Sequence, residues 1–152
     1  MPELYVGLGS NLGDREGNIR RAIGLLEERV GRLTKFSSLY ETKPSGFRSD
    51  HDFLNAAAAF DTCLPPMELL GITQQVEREL GRTQKSRNGM YHDRTIDIDL
   101  LYMEGVRLNT PSLTLPHPRA ASRPFVMVPL AEIAPGVAGE IKRNAPTTRR
   151  RL

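Results

Sequence analysis

Two carboxylates in a short apolar run are the residues of this sequence best placed to do chemistry. They are Asp97 and Asp99, in Arg94-Thr95-Ile96-Asp97-Ile98-Asp99-Leu100-Leu101-Tyr102. The run is β-branched and apolar, free of Gly and Pro, and reads as a strand. Alternation puts Asp97 and Asp99 on one face and Ile96, Ile98 and Leu100 on the other. Two carboxylates about 7 Å apart along a strand repel each other and are costly to bury unpaired. A hard cation answers both problems, because Mg²⁺ takes one or two protein carboxylates and leaves the rest of its shell to water and substrate phosphates. The plain alternative is a strand with one solvated face, although Asp is poorly suited to strands.

Phosphate-binding residue types surround the pair. Arg82, Lys85, Arg87 and Arg94 fall in one polar segment leading into the strand, and the planar fork of arginine matches phosphate oxygens. Any one of them alone reads as a solvated loop charge. Together with two metal-type carboxylates they point to phosphoryl transfer, where metal ions and Arg clamps stabilise developing charge. The chemistry is not of the P-loop type. No G-x-x-x-x-G-K-[ST] motif is present, and Lys85-Ser86 lacks the preceding glycine. His117 stands between Pro116 and Pro118, where two fixed φ angles aim it. His51 and His92 lie in loops and are expected at the surface.

The elements that must position these groups follow from pattern. Leu4 to Leu8 reads as a strand, and Gly7 to Gly13 as a tight turn into a helix capped by Asp14. Its G-x-G-x-x-x-G spacing does not match a dinucleotide loop. Ile19, Ala22, Ile23, Leu26 and Val30 recur at helical spacing, and Gly31 ends that helix. Leu33 to Tyr40 is a second strand, Glu41 to Asp52 a loop, and Phe53 to Asp61 a third strand. Pro65-Pro66 opens a second helix with Leu69, Ile72, Thr73, Val76 and Leu80 as its stripe, closed by Gly81. After the Asp strand, Glu104-Gly105 marks a turn and Val106 to Leu108 a return hairpin strand. Residues 109–118 are expected to be irregular, Ser122 to Ile133 partly helical, and the chain beyond Ala134 without fixed structure. The order implies an α+β sandwich, with helices on one face of a mainly antiparallel sheet.

Composition sets outer limits. At 152 residues the chain is one domain, read as a catalytic body over 1–140 and a basic, disordered tail over 141–152. The net charge of +3 is uneven: residues 141–152 hold five of the 21 basic residues and none of the 18 acidic ones. The body is therefore slightly acidic, despite a pI near 9.3. The lone cysteine, Cys63, excludes an internal disulfide and reads as a small core residue. No apolar run reaches membrane-spanning length, and no signal-peptide pattern opens the chain. A cytoplasmic monomer acting on small molecules, without nucleic-acid or membrane partners, is the expectation.

The chain also resembles the 6-hydroxymethyl-7,8-dihydropterin pyrophosphokinase family of folate biosynthesis, from about Leu4 to Pro135. The matching segments are Gly9-Ser10-Asn11-Leu12-Gly13, Phe53-Leu54-Asn55-Ala56-Ala57, Gln74 to Arg82, Arg94 to Leu101, Leu115-Pro116-His117-Pro118 and Arg123-Pro124-Phe125-Val126. The resemblance implies a ferredoxin-like fold and transfer of the β,γ-pyrophosphoryl group of ATP to the pterin hydroxymethyl oxygen, with release of AMP. It implies two Mg²⁺ ions held by Asp97 and Asp99, with Arg82 and Arg94 on the phosphates. It places Gln74, Glu77, Lys85, His117 and Arg123 on the ATP side. It assigns the pterin to Thr42, backbone groups of residues 43–46, Asn55, and the rings of Phe53 and Phe125, which from the residues alone would read as core packing. The chain departs from the family pattern at Gln84, where many members carry a second Arg. It departs again at Asn88 to Asp93, which replaces a short Gly-Pro-Arg approach, and at Ser112, where a nucleotide-side Arg is sometimes found. Two other readings fit the residues: a ferredoxin-like nucleic-acid-binding module using the basic tail, and an inactive metal-binding relative.

Overall fold

The strand β1 (Glu3–Ser10) runs through the middle of a five-stranded antiparallel sheet. The computed structural model describes residues 1–43, 51–81 and 94–145. β4 (Phe53–Asp61) and β5 (Asp97–Met103) flank β1, and β2 (Leu33–Phe36) and β3 (Tyr40–Thr42) both pair with the far edge of β4. β5 is the other edge. A separate two-stranded ribbon joins β6 (Leu108–Asn109) to β7 (Thr114–Leu115).

Helices cover both faces. α1 (Arg15–Arg29) and α2 (Pro66–Glu79) pack on one. There Leu4, Val6 and Leu8 of β1, Phe60 of β4 and Leu100 of β5 meet Ile19, Leu26, Leu69 and Val76. α3 (Pro124–Ile133) and α4 (Pro135–Asn144) pack on the other, over Tyr5, Ala57, Ala59 and Leu101. The four alanines Ala56 to Ala59 thus split two and two between the faces. Their small side chains let helices approach the centre of the sheet from either side. Each face of β4 must be apolar for this, so the run shows no hydrophobic alternation.

Several expectations are corrected. The helices are not on one face, because α3 and α4 form a second layer. Residues 135–144 are helical: Pro135 opens α4, Ala138 and Ile141 are buried under it, and Tyr102 donates to Glu140 at 2.8 Å. α4 therefore carries the domain past residue 140, while 146–152 lie outside the described residues. The second strand is broken in two. Ser37 fills the break, its N–H donating to the Ala57 carbonyl and its hydroxyl accepting from the Ala57 N–H, both at 2.9 Å. β6 pairs with β7 rather than folding back on β5, so residues 109–118 are partly regular. Gly7 and Gly9 lie inside β1, and the turn into α1 begins only at Asn11. Cys63 is exposed; it sits in the β4–α2 connection, where Thr62 turns inward instead. His51 is at the surface, as expected.

At the end of the sheet away from Asp97, Glu3 accepts from Tyr5 Oη and Thr34 Oγ1 at 2.7 Å each and pairs with Lys35 Nζ at 3.4 Å. Burial alone would raise its carboxyl. The donors, Thr34 foremost, outweigh burial and hold it below the usual range. A folded-state pKa below the unfolded value stabilises above the unfolded pKa, and that stabilisation is lost as pH falls through the folded pKa. Melting curves of wild type and Glu3→Gln should therefore differ at neutral pH and converge in acid. A gap that is constant with pH would contradict this assignment.

Candidate functional site

β5 pairs with β1 so that Asp97 stands opposite Gly9 and Asp99 opposite Gly7. Opposed residues of an antiparallel pair share a face, so each carboxylate looks across a residue with no side chain. This is the face that α3 covers. A Cβ at Gly9 would come within 3.1 Å of Asn55 Oδ1 and 3.5 Å of Phe53 Cδ1. Glycine at that position is what admits the Asn55 carboxamide and the Phe53 ring beside the carboxylates.

The result is a cleft. Its floor is Gly7, Gly9, Asp97 and Asp99; its walls include Thr42 from β3, Phe53 and Asn55 from β4, Arg94, and Phe125 and Val126 from the start of α3. Register fixes one wall, with Thr42 opposite Phe53 and Tyr40 opposite Asn55, and Asn55 Nδ2 donates to Thr42 Oγ1 at 2.6 Å. Arg94 reaches in from the start of β5. Its Nε lies 3.7 Å from Asp97 Oδ2, and its guanidinium carbon lies 4.9 Å from the centre of the Phe53 ring. Asn11 holds this residue in place: its Oδ1 accepts from the Arg94 N–H at 2.7 Å, its own N–H donates to the Arg94 carbonyl, and its Nδ2 donates to the His51 carbonyl at 3.1 Å.

A second, open cleft runs along the free edge of β5, lined by Leu70, Ile98, Asp99, Ser112, Thr114, His117 and Arg119 among others. Asp99 lines both clefts. The His117 N–H donates to the Leu101 carbonyl at 2.8 Å, which ties the Pro-His-Pro segment to the strand that carries the carboxylates. His117 Nδ1 accepts from the Arg119 N–H at 3.1 Å. That bond leaves the proton of a neutral ring on Nε2. Burial, then the Arg123 and Arg119 charges, lower its pKa to about 4, so the ring is neutral near pH 7 and offers Nε2–H as a donor. Burial and the Asp97 charge push the Asp99 carboxyl in the opposite direction, well above its ordinary range, against the opposing pull of Arg123 and Arg94.

The donor set fits magnesium. A cation beside the pair would offset the burial and the Asp97 charge that oppose ionisation of Asp99. Among the described residues no group of three or more His, Cys, Asp or Glu converges as a cage.

The structure brings together Thr42, Phe53, Asn55, Arg94, Asp97, Asp99 and Phe125 in one cleft and His117 in the adjoining one. Arg123 precedes α3, with its guanidinium carbon 5.9 Å from the Phe125 ring centre. Gln74 lines neither cleft. Glu77 turns inward: it is buried, and its Oε2 accepts from the Ile98 N–H at 2.8 Å. That bond satisfies an outward amide of an edge strand. Arg82, Lys85, Arg87, Gln84 and residues 44–46 lie outside the described residues. Gly7, Gly9, Asn11, Leu70, Lys43 and Arg119 also belong to the site or its support and were not anticipated. The period-two glycines of β1 were the available signal, since Gly at i and i+2 in a strand clears one face.

The chain from residue 5 to 135 matches the model of the family described as 7,8-dihydro-6-hydroxymethylpterin-pyrophosphokinase. It is 51% identical over 148 residues to the 2-amino-4-hydroxy-6-hydroxymethyldihydropteridine pyrophosphokinase of Porphyromonas gingivalis, covering 97% of this chain and 98% of that one. The enzyme of the same name from Bacillus subtilis is 47% identical over 137 residues, covering 90% and 80%. Among solved structures, a wild-type HPPK-DHPS of Plasmodium falciparum with pteroate superposes with a TM-score of 0.69 at 15% identity. The match covers 88% of this chain and 39% of that one, and it shows the shared fold. The chain belongs to the 7,8-dihydro-6-hydroxymethylpterin-pyrophosphokinase family.

Proposed function

We propose that the chain transfers the pyrophosphoryl group of MgATP to the hydroxymethyl oxygen of 6-hydroxymethyl-7,8-dihydropterin, releasing AMP. The observation that carries this reading is Asp99, which lines two adjoining clefts, one rich in aromatic and amide groups and one bearing His117. A transfer between two substrates needs such a shared floor.

In this reading the pterin enters the first cleft. Asn55 and Thr42 meet its amide edge, because a carboxamide offers both a donor and an acceptor, and Phe53 and Phe125 hold the ring by stacking. ATP enters the second cleft, with His117 Nε2–H and the charges of Arg94, Arg123 and, from the segment outside the described residues, Arg82 and Lys85 on its phosphates. Two Mg²⁺ ions held by Asp97 and Asp99 would supply Lewis-acid polarisation of the phosphate oxygens. The hydroxyl oxygen attacks the β-phosphorus. The bond from that phosphorus to the α,β-bridging oxygen breaks, and AMP leaves with the bridging oxygen. The hydroxyl proton passes to solvent. Positioning and electrostatics supply most of the acceleration, so no dedicated base is required.

Beyond the reaction, the chain is proposed to act as a cytoplasmic monomer on these small molecules, without nucleic-acid or membrane partners. Among the described residues no helix is long and apolar enough to cross a membrane. Incubation with MgATP should give AMP only when the pterin alcohol is present, one AMP per pterin diphosphate. ADP formation, or AMP release that ignores the pterin, would refute the assignment.

A further inference from the structure

The first cleft has one weakly built wall. β3 is three residues long and, among the described residues, pairs only with β4, yet it carries Thr42, the partner of Asn55. A three-residue edge strand has few ladder bonds to fix it. The facing wall is the start of α3, with Phe125 and Val126. The two walls belong to elements far apart in sequence, and their spacing sets the width of the cleft.

A side chain of α3 joins them. Glu132, in the last turn of α3, accepts from the Ser38 N–H with both oxygens, at 3.0 and 3.2 Å, from the Ser38 hydroxyl at 3.1 Å, and from the Tyr40 hydroxyl. Tyr40 is the residue opposite Asn55. We propose that Glu132 is a positioning residue for the pterin cleft: it staples the Ser38–Tyr40 root of β3 to α3 and so sets the distance from the Thr42–Asn55 wall to the Phe125 wall. This rests on the assignment of that cleft to the pterin. Hydrogen bonds to an ionised acceptor are stronger than neutral ones, and these bonds, the one from Tyr40 foremost, hold the Glu132 carboxyl below its ordinary range. Glu132 itself is exposed and lines neither cleft, so any effect on substrate must pass through the elements it joins.

The test is steady-state kinetics for each substrate in turn, with melting temperature alongside. Glu132→Ala should raise KM for the pterin alcohol about five-fold or more, the scale of a lost charge-assisted hydrogen bond. KM for ATP should stay within about two-fold, since uniform binding is lost for one substrate alone. Glu132→Gln keeps an acceptor for the Ser38 N–H and should restore part of the loss. Tyr40→Phe should add little to Glu132→Ala, because both cut the same staple. Equal changes in both KM values, or additive effects of Tyr40→Phe and Glu132→Ala, would mean a general structural role and overturn the proposal. Asn55→Ala separates the two layers of the argument. If it leaves the pterin KM unchanged, the cleft assignment falls and this proposal with it. If it raises the pterin KM while Glu132→Ala does not, the staple alone is wrong.

Discussion

Asp97→Ala and Asp99→Ala should each lower turnover by about a thousand-fold or more, the scale seen when a principal electrostatic or metal-held element is removed from a phosphoryl-transfer site. Stability should not fall with activity. Asp97 and Asp99 share a face of β5 above glycines, and burial together with the Asp97 charge opposes ionisation of Asp99. Without metal, the ionised form of Asp99 is disfavoured in the fold. Asp99→Asn, which keeps the shape and removes the charge, should therefore leave the melting temperature of the metal-free protein unchanged or raised, with activity still lost. Loss of both together would mean that the pair holds the fold rather than the cation.

Asn55→Ala should weaken pterin binding about a hundred-fold while leaving ATP binding near that of wild type. A site built to hydrogen-bond a substrate edge discriminates strongly when that bond is removed. Asn55 is a buried amide in a stretch of β4 that is otherwise apolar from Phe53 to Phe60. Gly9 leaves room for it, and Thr42 orients it from β3. The fold should lose only about 1 kcal/mol, the net contribution of one hydrogen bond. Fluorescence titration of the pterin, with and without a non-reactive ATP analogue, would measure this. Unchanged pterin affinity would remove Asn55 from the substrate side.

The carboxylate face was legible because strand alternation is a local rule, and Asp97 and Asp99 do share a face. α1 and α2 were legible from helical spacing and their punctuating Asp14, Pro66 and Gly residues. Of the second helical layer, α3 was legible in part: Ser122 to Ile133 reads as partly helical around Pro124 and Pro129, and α3 fills that stretch. α4 was not, because its two glycines and polar end read as unstructured chain, and tertiary burial of Ala138 and Ile141 overrides that. Glu77 looked like a nucleotide-side residue, but the position of its carboxylate is set by an outward amide on β5, 21 residues away. Partners so distant in sequence leave no periodic trace. The same holds for Glu132 and Ser38, separated by 94 residues. Gly7 and Gly9 do leave a period-two trace, but which carboxylates they make room for appears only once β5 is laid beside β1.

Asp97 and Asp99 are proposed to seat the metal ions that hold the nucleotide beside the pterin cleft. Mn²⁺ can stand in for Mg²⁺ and be counted by electron paramagnetic resonance, with α,β-methylene-ATP and the pterin alcohol present to fill the site without turnover. Wild type should bind about two Mn²⁺ per chain, the arrangement of a two-metal site, and the Asp97→Ala, Asp99→Ala double variant none beyond the nucleotide's own. An unchanged count in the double variant, with nucleotide still bound, would contradict that role.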